Sequence, residues 1–233
     1  MRLHETHERP FTWRHRLPRG RPRYRHDVIV DLARGRRVVH VGFVDELLEE
    51  KVAGGVWLHD RLAQVATSLV GLDLSERGVE WACEHGHEAH VVDAQDADAV
   101  AALGLEPADL VVAGEIVEHL DAPGPFLRAV RQLVRPDGRI VLTTPNAYRL
   151  LNFLAPLSGS ELVHPDHTAW HSPRTLRTLL ERSGWEVDHL SWYVNPPRKG
   201  GGLANVARRA TGALNRVLPY WSDGIVAVAR PRA

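Results

Sequence analysis

The chain has 233 residues, of which 44% are hydrophobic, so it is long enough to bury the core of one domain. Lys plus Arg and Asp plus Glu are balanced at 29 each, and this neutral net charge disfavours a nucleic-acid partner. A single cysteine, no signal sequence and no apolar stretch long enough to cross a membrane predict a cytoplasmic protein without a disulfide or a transmembrane segment.

The first 26 residues are rich in arginine and proline and have no apolar periodicity. This composition predicts a flexible basic arm over residues 1–26, followed by one domain over residues 27–233. The arginines of such an arm can pair with phosphate groups of a substrate, although most basic arms are only solvated.

Seven short apolar runs separated by helical patterns follow the arm. The pattern is typical of a doubly wound α/β fold, in which crossover helices connect the strands of a parallel sheet. Helical spacing of apolar residues predicts helices over 58–69 and 126–133, and Ser172-Pro173 predicts the start of a helix that Gly184 ends. The predicted strands are residues 38–41, 69–72, 89–92, 110–113, 140–142, 187–192 and 225–228.

The residues at the ends of three predicted strands are suited to a nucleoside. Gly42 ends the first strand, and Asp73 and Asp93 follow the second and third. Ligands of open α/β sheets bind at the carboxyl ends of the strands, where a glycine permits close approach and a carboxylate accepts hydrogen bonds from ribose or adenine. Each residue alone could equally belong to a turn or a helix cap, but their order predicts an adenosine site across the sheet.

A longer motif follows the fourth strand. Residues 115–120 are Glu-Ile-Val-Glu-His-Leu, residues 136–138 form a Pro-Asp-Gly turn, and residues 143–146 are Thr-Thr-Pro-Asn. With these motifs the chain resembles the class I S-adenosylmethionine-dependent methyltransferases over about residues 37–230. The resemblance implies a Rossmann-like sheet of seven strands, mostly parallel with an antiparallel last strand, and S-adenosylmethionine as cofactor. The cofactor-binding residues that it implies are Gly42, Asp73, Leu74, Asp93, Ala94 and Glu115, with Glu115 beside the transferable methyl group.

The first loop departs from the pattern of that family. The family has two or three glycines there, whereas this chain continues from Gly42 with Phe43 and Val44. Asp73 follows Gly42 by 31 residues instead of about 20, so the loop and helix between them are enlarged. Residues 54–59 are candidates to replace the contacts of the missing glycines.

A metal site is one interpretation of the motif after the fourth strand. Glu115, Glu118 and His119 would share one face of a helix. The run is similar to that of small-RNA 2′-O-methyltransferases, and the resemblance implies that it binds a divalent cation, Mg²⁺ or Mn²⁺, together with His167. Ubiquinone-biosynthesis O-methyltransferases share the first run. The alternative is a metal-free site in which His119 is the general base beside Glu115.

These motifs predict methyl transfer to a hydroxyl of a small metabolite or a glycan, because both an imidazole base and a cation prepare a hydroxyl for attack. The alternative is metal-dependent 2′-O-methylation of an RNA terminus. A nicotinamide-dependent oxidoreductase and an inactive relative fit the motifs less well. Residues 147–171 and 193–222 are predicted to cover the acceptor site, with a basic amphipathic helix over 203–216. In this cover, His164 and His171 are expected to be surface or packing residues.

Overall fold

An eight-stranded mixed sheet forms the centre of the protein, whose computed structural model describes residues 14–196, 214–215 and 217–232. The strands are β1 (Arg23–Tyr24), β2 (Arg37–Val41), β3 (Ser68–Asp73), β4 (Glu88–Val91), β5 (Ala108–Gly114), β6 (Val134–Pro145), β7 (Trp185–Val194) and β8 (Gly224–Pro231). They lie in the order β1-β7-β8-β6-β5-β2-β3-β4, and β8 is antiparallel to both of its neighbours while all other pairs are parallel. All seven predicted strands and the antiparallel last strand are confirmed.

Helices connect the strands and lie on both faces of the sheet. They are α1 (Arg25–Ala33), α2 (Leu48–Ala53), α3 (Leu58–Ala63), α4 (Glu76–Glu84), α5 (Ala97–Ala102), α6 (Pro123–Ala129), α7 (Leu150–Leu154) and α8 (Pro173–Arg182), with short 3-10 helices at Val130–Leu133, Ala155–Ser158 and Pro219–Trp221. The helix predicted over 58–69 is shorter than expected, because Leu69 belongs to β3. The predicted cap of α8 is confirmed: the Ser172 side chain accepts from the Thr175 backbone N–H, and Thr175 closes a capping box.

The central strands are buried on both faces, as a parallel sheet between two helical layers requires. In β5, Leu110 and Val112 pack with residues of α1 and α3, whereas Val111 and Ala113 pack on the opposite face with residues of α6 and α8. All four side chains are fully buried. This double burial explains why the strand is a continuous apolar run in the sequence and does not alternate.

The predicted N-terminal arm needs correction for the part that the structure describes. Trp192 donates from Nε1 to the backbone oxygen of Pro18 (2.9 Å), and Leu17 packs against the core. Arg23 and Tyr24 form β1, the additional strand, which pairs in parallel with β7. The exposed edge of β7 offers unpaired backbone groups, and this short segment satisfies some of them. Residues 1–13 lie outside the described part of the chain.

The predicted cover of the acceptor site is described only in part. Residues 147–171 contain α7 and the 3-10 helix Ala155–Ser158, but most of the amphipathic pattern predicted over 203–216 lies outside the described residues. In the described ranges, no helix combines the length and the apolar character that a membrane span requires.

Candidate active site

A cavity of about 450 Å³ opens at the carboxyl ends of β2 and β5. Its walls come from the loop after β2, the turn after β5, the start of α1 and the cover segment that contains His164 and His167. This is the edge of the sheet at which the sequence places the ligand. The predicted site residues that line the cavity are Gly42, Glu115, Glu118, His119 and His167.

Gly42 makes the sharp turn at the end of β2. Its φ is +66°, which is a left-handed conformation, and its N–H donates to the Leu72 carbonyl (2.8 Å). A Cβ at this position would lie 2.7 Å from Cδ1 of Ile116. The turn after β5 therefore packs directly on Gly42, and a larger residue would separate these two walls of the cavity.

Asp73 holds the loop after β2 in place. Its carboxylate accepts from the backbone N–H of Val44 (2.9 Å) and from that of Ser75 (3.0 Å). Burial raises the pKa of Asp73, while these backbone donors oppose the shift. A carboxylate has about four acceptor sites, so two accepted bonds leave capacity for the hydroxyls of a ligand. The neighbouring Leu74 is 65% exposed.

Asp93 and Ala94, like Asp73 and Leu74, are not among the residues that line the cavity. Asp93 is exposed, and its carboxylate accepts from the backbone N–H of Gln95 (2.9 Å). Ala94 is buried in the core, and Asp96 is the residue that caps α5. Asp93 thus stabilises a turn at the carboxyl end of β4, at the same edge of the sheet as Gly42 and Asp73.

Glu115 follows β5 in an unusual backbone conformation. Its φ is +57°, and among the described residues it is the one non-glycine residue with positive φ. Its N–H donates to the Thr143 carbonyl (2.8 Å), and its carboxylate accepts from the Tyr193 hydroxyl. The helix expected from Glu115 onward is wrong, because residues 116–119 form a single turn closed by a bond from His119 N–H to the Ile116 carbonyl (2.9 Å).

Glu118 is buried behind this turn. Neither oxygen of its carboxyl group has a hydrogen-bond partner among the described residues. Burial and the nearby Glu115 carboxylate raise the pKa of Glu118 to about 8. Both effects favour the protonated form of this side chain.

Three imidazoles meet at the mouth of the cavity. His119, His164 and His167 each offer one ring nitrogen, and these nitrogens lie within 4.8 Å of one another. Burial and the two neighbouring histidines lower the pKa of His167, and its buried Nδ1 has no hydrogen-bond partner in the part of the chain that the structure describes. His164 is half-buried, and its Nε2 also lies 3.1 Å from Oε1 of Glu46. The expectation that it is a surface or packing residue stays a prediction.

The arrangement also changes the set of predicted metal ligands. His119 and His167 come together as expected, but the third member is His164, while Glu115 and Glu118 line the cavity without joining the cluster. His171 is buried, in agreement with a packing role.

Comparison with known proteins decides the family. A family described as "Methyltransferase domain" matches residues 47–190, which is more than half of the chain. The chain belongs to the class I S-adenosylmethionine-dependent methyltransferases. The "Ubiquinone biosynthesis O-methyltransferase" of Ralstonia nicotianae is 34% identical to this methyltransferase over 71% of the chain and 69% of its own length. The protein of the same name from Bordetella avium is 33% identical over 55% of the chain.

The methyltransferase spans 50% of the length of the Bordetella relative. A solved S-adenosylmethionine-dependent methyltransferase from Archaeoglobus fulgidus has a TM-score of 0.53 over 88% of this chain and 94% of its own, at 19% sequence identity. That likeness shows the fold, and it agrees with the strand order described above.

Arg25 is a residue of this methyltransferase site that the sequence did not single out. It lines the cavity from the start of α1, its Nη1 lies 3.5 Å from Glu115, and its buried Nε has no hydrogen-bond partner among the residues that the structure describes. No local signal distinguishes Arg25 from the other arginines of the N-terminal segment. It reaches the site because β1 pairs with β7 directly before it.

Aromatic and histidine side chains support the loop in place of the missing glycines. Trp57 donates from Nε1 to the Phe43 carbonyl (3.0 Å), and both side chains are buried. Below them, Nδ1 of His40 and Nδ1 of His59 are 3.2 Å apart. Burial is the main reason that the pKa of His40 is lowered well below its usual value and that of His59 to about 3.

This histidine pair should make the methyltransferase less stable in acid. Both imidazoles stay neutral when folded but bind protons when unfolded below about pH 6.5, so the free energy of unfolding falls as the pH drops from 6.5 towards 3. Each of the two imidazoles lowers the free energy of unfolding by about 2 kcal/mol between pH 7 and pH 5. His59→Phe should therefore show a smaller loss than the wild type in urea unfolding at these two pH values.

His59→Phe must be compared with the wild type, because the titration of Glu118 changes the free energy of unfolding in the opposite direction over the same pH range. Its raised pKa means that the folded state gains stability as the pH falls from 8. His189→Phe is the matched control, since His189 is exposed on β7. An equal loss in His59→Phe and in the wild type would contradict the prediction.

Proposed function

We propose that the protein is an S-adenosylmethionine-dependent O-methyltransferase that acts on a hydroxyl of a small metabolite or a glycan. The observation that carries the proposal is the single cavity that Gly42, Glu115 and His119 share at the carboxyl edge of the sheet. The names of the relatives, which are O-methyltransferases, support oxygen as the acceptor atom. A cytoplasmic location remains a prediction.

Residues in and beside the cavity fit the cofactor. The Arg25 guanidinium, with its unpaired buried Nε, would pair with the methionine carboxylate. Asp73 keeps free acceptor capacity for the ribose hydroxyls, and the turn at Gly42 lets the backbone approach. Asp93 and Ala94 would contact the cofactor only if the adenine extends along the sheet edge past Asp73. We therefore propose that they contribute less to cofactor binding than Asp73 does.

The chemistry needs an electrophile and a base. S-adenosylmethionine, when bound, supplies a methyl group on a positively charged sulfur. His119 lines the same cavity, and we propose that a ring nitrogen of His119 takes the proton of the acceptor hydroxyl. The oxygen would then replace the sulfur on the methyl carbon, and the electron pair of the broken carbon–sulfur bond would stay on the sulfur. Glu115 places a negative charge beside the cationic centre. The cover segment with His164 and His167 limits the access of water.

A divalent cation fits the three-histidine cluster. His119, His164 and His167 each have a ring nitrogen within 4.8 Å of the other two, and Nδ1 of His167 has no hydrogen-bond partner among the described residues. A cation would compete with Glu46, whose Oε1 lies 3.1 Å from Nε2 of His164. A bound cation would lower the pKa of a coordinated hydroxyl. Three imidazoles suit Mn²⁺ or Zn²⁺ better than Mg²⁺, which prefers oxygen ligands. Of the two ions that the sequence suggests, we therefore propose Mn²⁺.

Removal of one imidazole should weaken the binding of this cation. His164→Ala should lower the affinity for Mn²⁺ at least about tenfold, measured by titration calorimetry on protein first treated with a chelator. His189→Ala is the control, because His189 is exposed and far along β7 from the cluster. Equal Mn²⁺ affinity in His164→Ala and the wild type would exclude His164 as a ligand.

Binding of the cofactor product tests the proposal as a whole. S-adenosylhomocysteine at about 100 times its Kd should stabilise the folded state by about 2.7 kcal/mol. For a domain of this size, that corresponds to a rise of roughly 5–10 °C in Tm. Adenosine at the same concentration is the control, since it lacks the homocysteine part. A Tm that does not move with S-adenosylhomocysteine would count decisively against this function.

The RNA alternative has no supporting observation in the described structure. In the basic segment, Arg23 is paired with Asp31 (2.5 Å), and we assign Arg25 to the methionine carboxylate. Neither arginine is then left for phosphate groups.

A further inference from the structure

Tyr193, Glu115 and Arg25 form a network at the wall of the cavity. The Tyr193 hydroxyl donates to the Glu115 carboxylate, at 2.9 Å from Oε1 and 3.0 Å from Oε2. Nη1 of Arg25 lies 3.5 Å from Oε1 of Glu115, and the guanidinium carbon lies 5.9 Å from the centroid of the Tyr193 ring. Three distant parts of the chain therefore converge on one carboxylate.

The Tyr193 ring is fixed by the sheet around it. Tyr193 pairs with Arg23 of β1 on one side and with Gly224 of β8 on the other, and its side chain is almost completely buried. A Cβ at position 224 would overlap the Tyr193 ring. Gly224 is therefore the residue that leaves room for the ring, and the hydroxyl has little freedom to turn away from Glu115.

Glu115 is constrained by its own backbone as well. Its φ of +57° is disfavoured for a residue with a Cβ, so the surrounding contacts must hold it there. Burial and the Glu115 carboxylate raise the pKa of Tyr193 well above its usual value, so the hydroxyl keeps its proton and remains a donor. The Glu115 carboxylate thus accepts a hydrogen bond from a hydroxyl that stays protonated over the physiological pH range.

We infer that Tyr193 is a positioning residue that holds the Glu115 carboxylate in one orientation and thereby sets the preference for a cationic cofactor over its neutral product. A carboxylate oriented in advance stabilises a nearby positive charge better than one that must reorganise. The inference rests on the proposed function, because Glu115 must face the sulfonium. S-adenosylmethionine carries that charge and S-adenosylhomocysteine does not, so the ratio of their Kd values reports on the carboxylate.

The test compares this ratio, Kd of S-adenosylhomocysteine over Kd of S-adenosylmethionine, in four proteins by titration calorimetry. Tyr193→Phe should lower the ratio about tenfold or more, the effect of losing one hydrogen bond to a charged group. Glu115→Gln should lower it at least as much. The double variant should fall no further than Glu115→Gln alone, because Tyr193 acts through Glu115. A loss of packing alone would weaken both ligands equally and leave the ratio unchanged.

Two further variants sharpen the result. Tyr24→Phe removes an exposed hydroxyl from the neighbouring strand β1 and should keep the wild-type ratio. Gly224→Ala keeps the Tyr193 hydroxyl but displaces its ring, and should lower the ratio in the same direction as Tyr193→Phe. It therefore keeps the inference testable if Tyr193→Phe does not fold.

The inference is overturned if the ratio is unchanged in Tyr193→Phe or in Glu115→Gln, or if the two effects are additive in the double variant. These outcomes differ from a failure of the proposed function. In that case the wild-type protein would bind neither S-adenosylmethionine nor S-adenosylhomocysteine.

Discussion

Replacing His119 with alanine should reduce kcat by on the order of 100- to 10,000-fold, the usual contribution of a general base. His119 lines the cavity beside Glu115, and no other imidazole in the described part of that lining lies on the turn after β5. The assay follows release of S-adenosylhomocysteine with a small hydroxyl acceptor on which the wild type turns over. The Kd for S-adenosylhomocysteine should change little, because the imidazole serves the acceptor.

Two further variants distinguish a role of His119 as a general base from a role as a metal ligand. His164→Ala and His167→Ala keep the base but remove cluster members, so a metal-free mechanism expects a small loss of kcat from each of them. Similar large losses in all three would indicate that the cluster works as one unit around a cation. Full activity in His119→Ala would exclude both roles for this residue.

Replacing Asp73 with alanine should weaken S-adenosylhomocysteine binding about 100-fold or more. The change removes the acceptor proposed for the ribose hydroxyls, and it also leaves the N–H groups of Val44 and Ser75 without their partner. The loop after β2 loses its support at the same time. Titration calorimetry on the folded variant measures the effect.

Two nearby aspartates serve as controls for the Asp73 variant. Asp96→Ala removes the cap of α5 and should cost about 1 kcal/mol of stability without changing the Kd. Asp93→Ala should weaken binding much less than Asp73→Ala, because the exposed Asp93 holds only the turn after β4, whereas Asp73 holds Val44 in the loop that lines the cavity. If Asp93→Ala weakened binding as strongly as Asp73→Ala, the adenine would extend to the end of β4 and our proposal for the cofactor's position would need revision.

The strands were predictable because their physical signal is local. A strand buried on both faces must be apolar along its whole length, so Leu110 to Ala113 stands out in the sequence. By contrast, β1 has only two exposed residues, Arg23 and Tyr24, and its pairing depends entirely on β7. No apolar pattern could have indicated it, and with it the position of Arg25 was missed.

The histidine cluster, too, could not be predicted from local sequence patterns alone. Glu115, Glu118 and His119 are close in sequence, and a helix was expected to align them. The left-handed backbone at Glu115 turned the chain instead, and Glu118 became buried. His164 then reached His119 across the cavity. Its position depends on how the cover folds over the sheet.

By itself, the sequence determined the seven longer strands, the family, and the edge of the sheet at which the candidate site lies, because apolar periodicity and strand-end residues are encoded locally. Only the tertiary structure placed Arg25 and Tyr193 beside Glu115 and His164 beside His119, and left Asp73 and Asp93 outside the lining of the cavity. Those positions depend on strand pairing and packing between residues that are distant in the chain, which no local pattern contains.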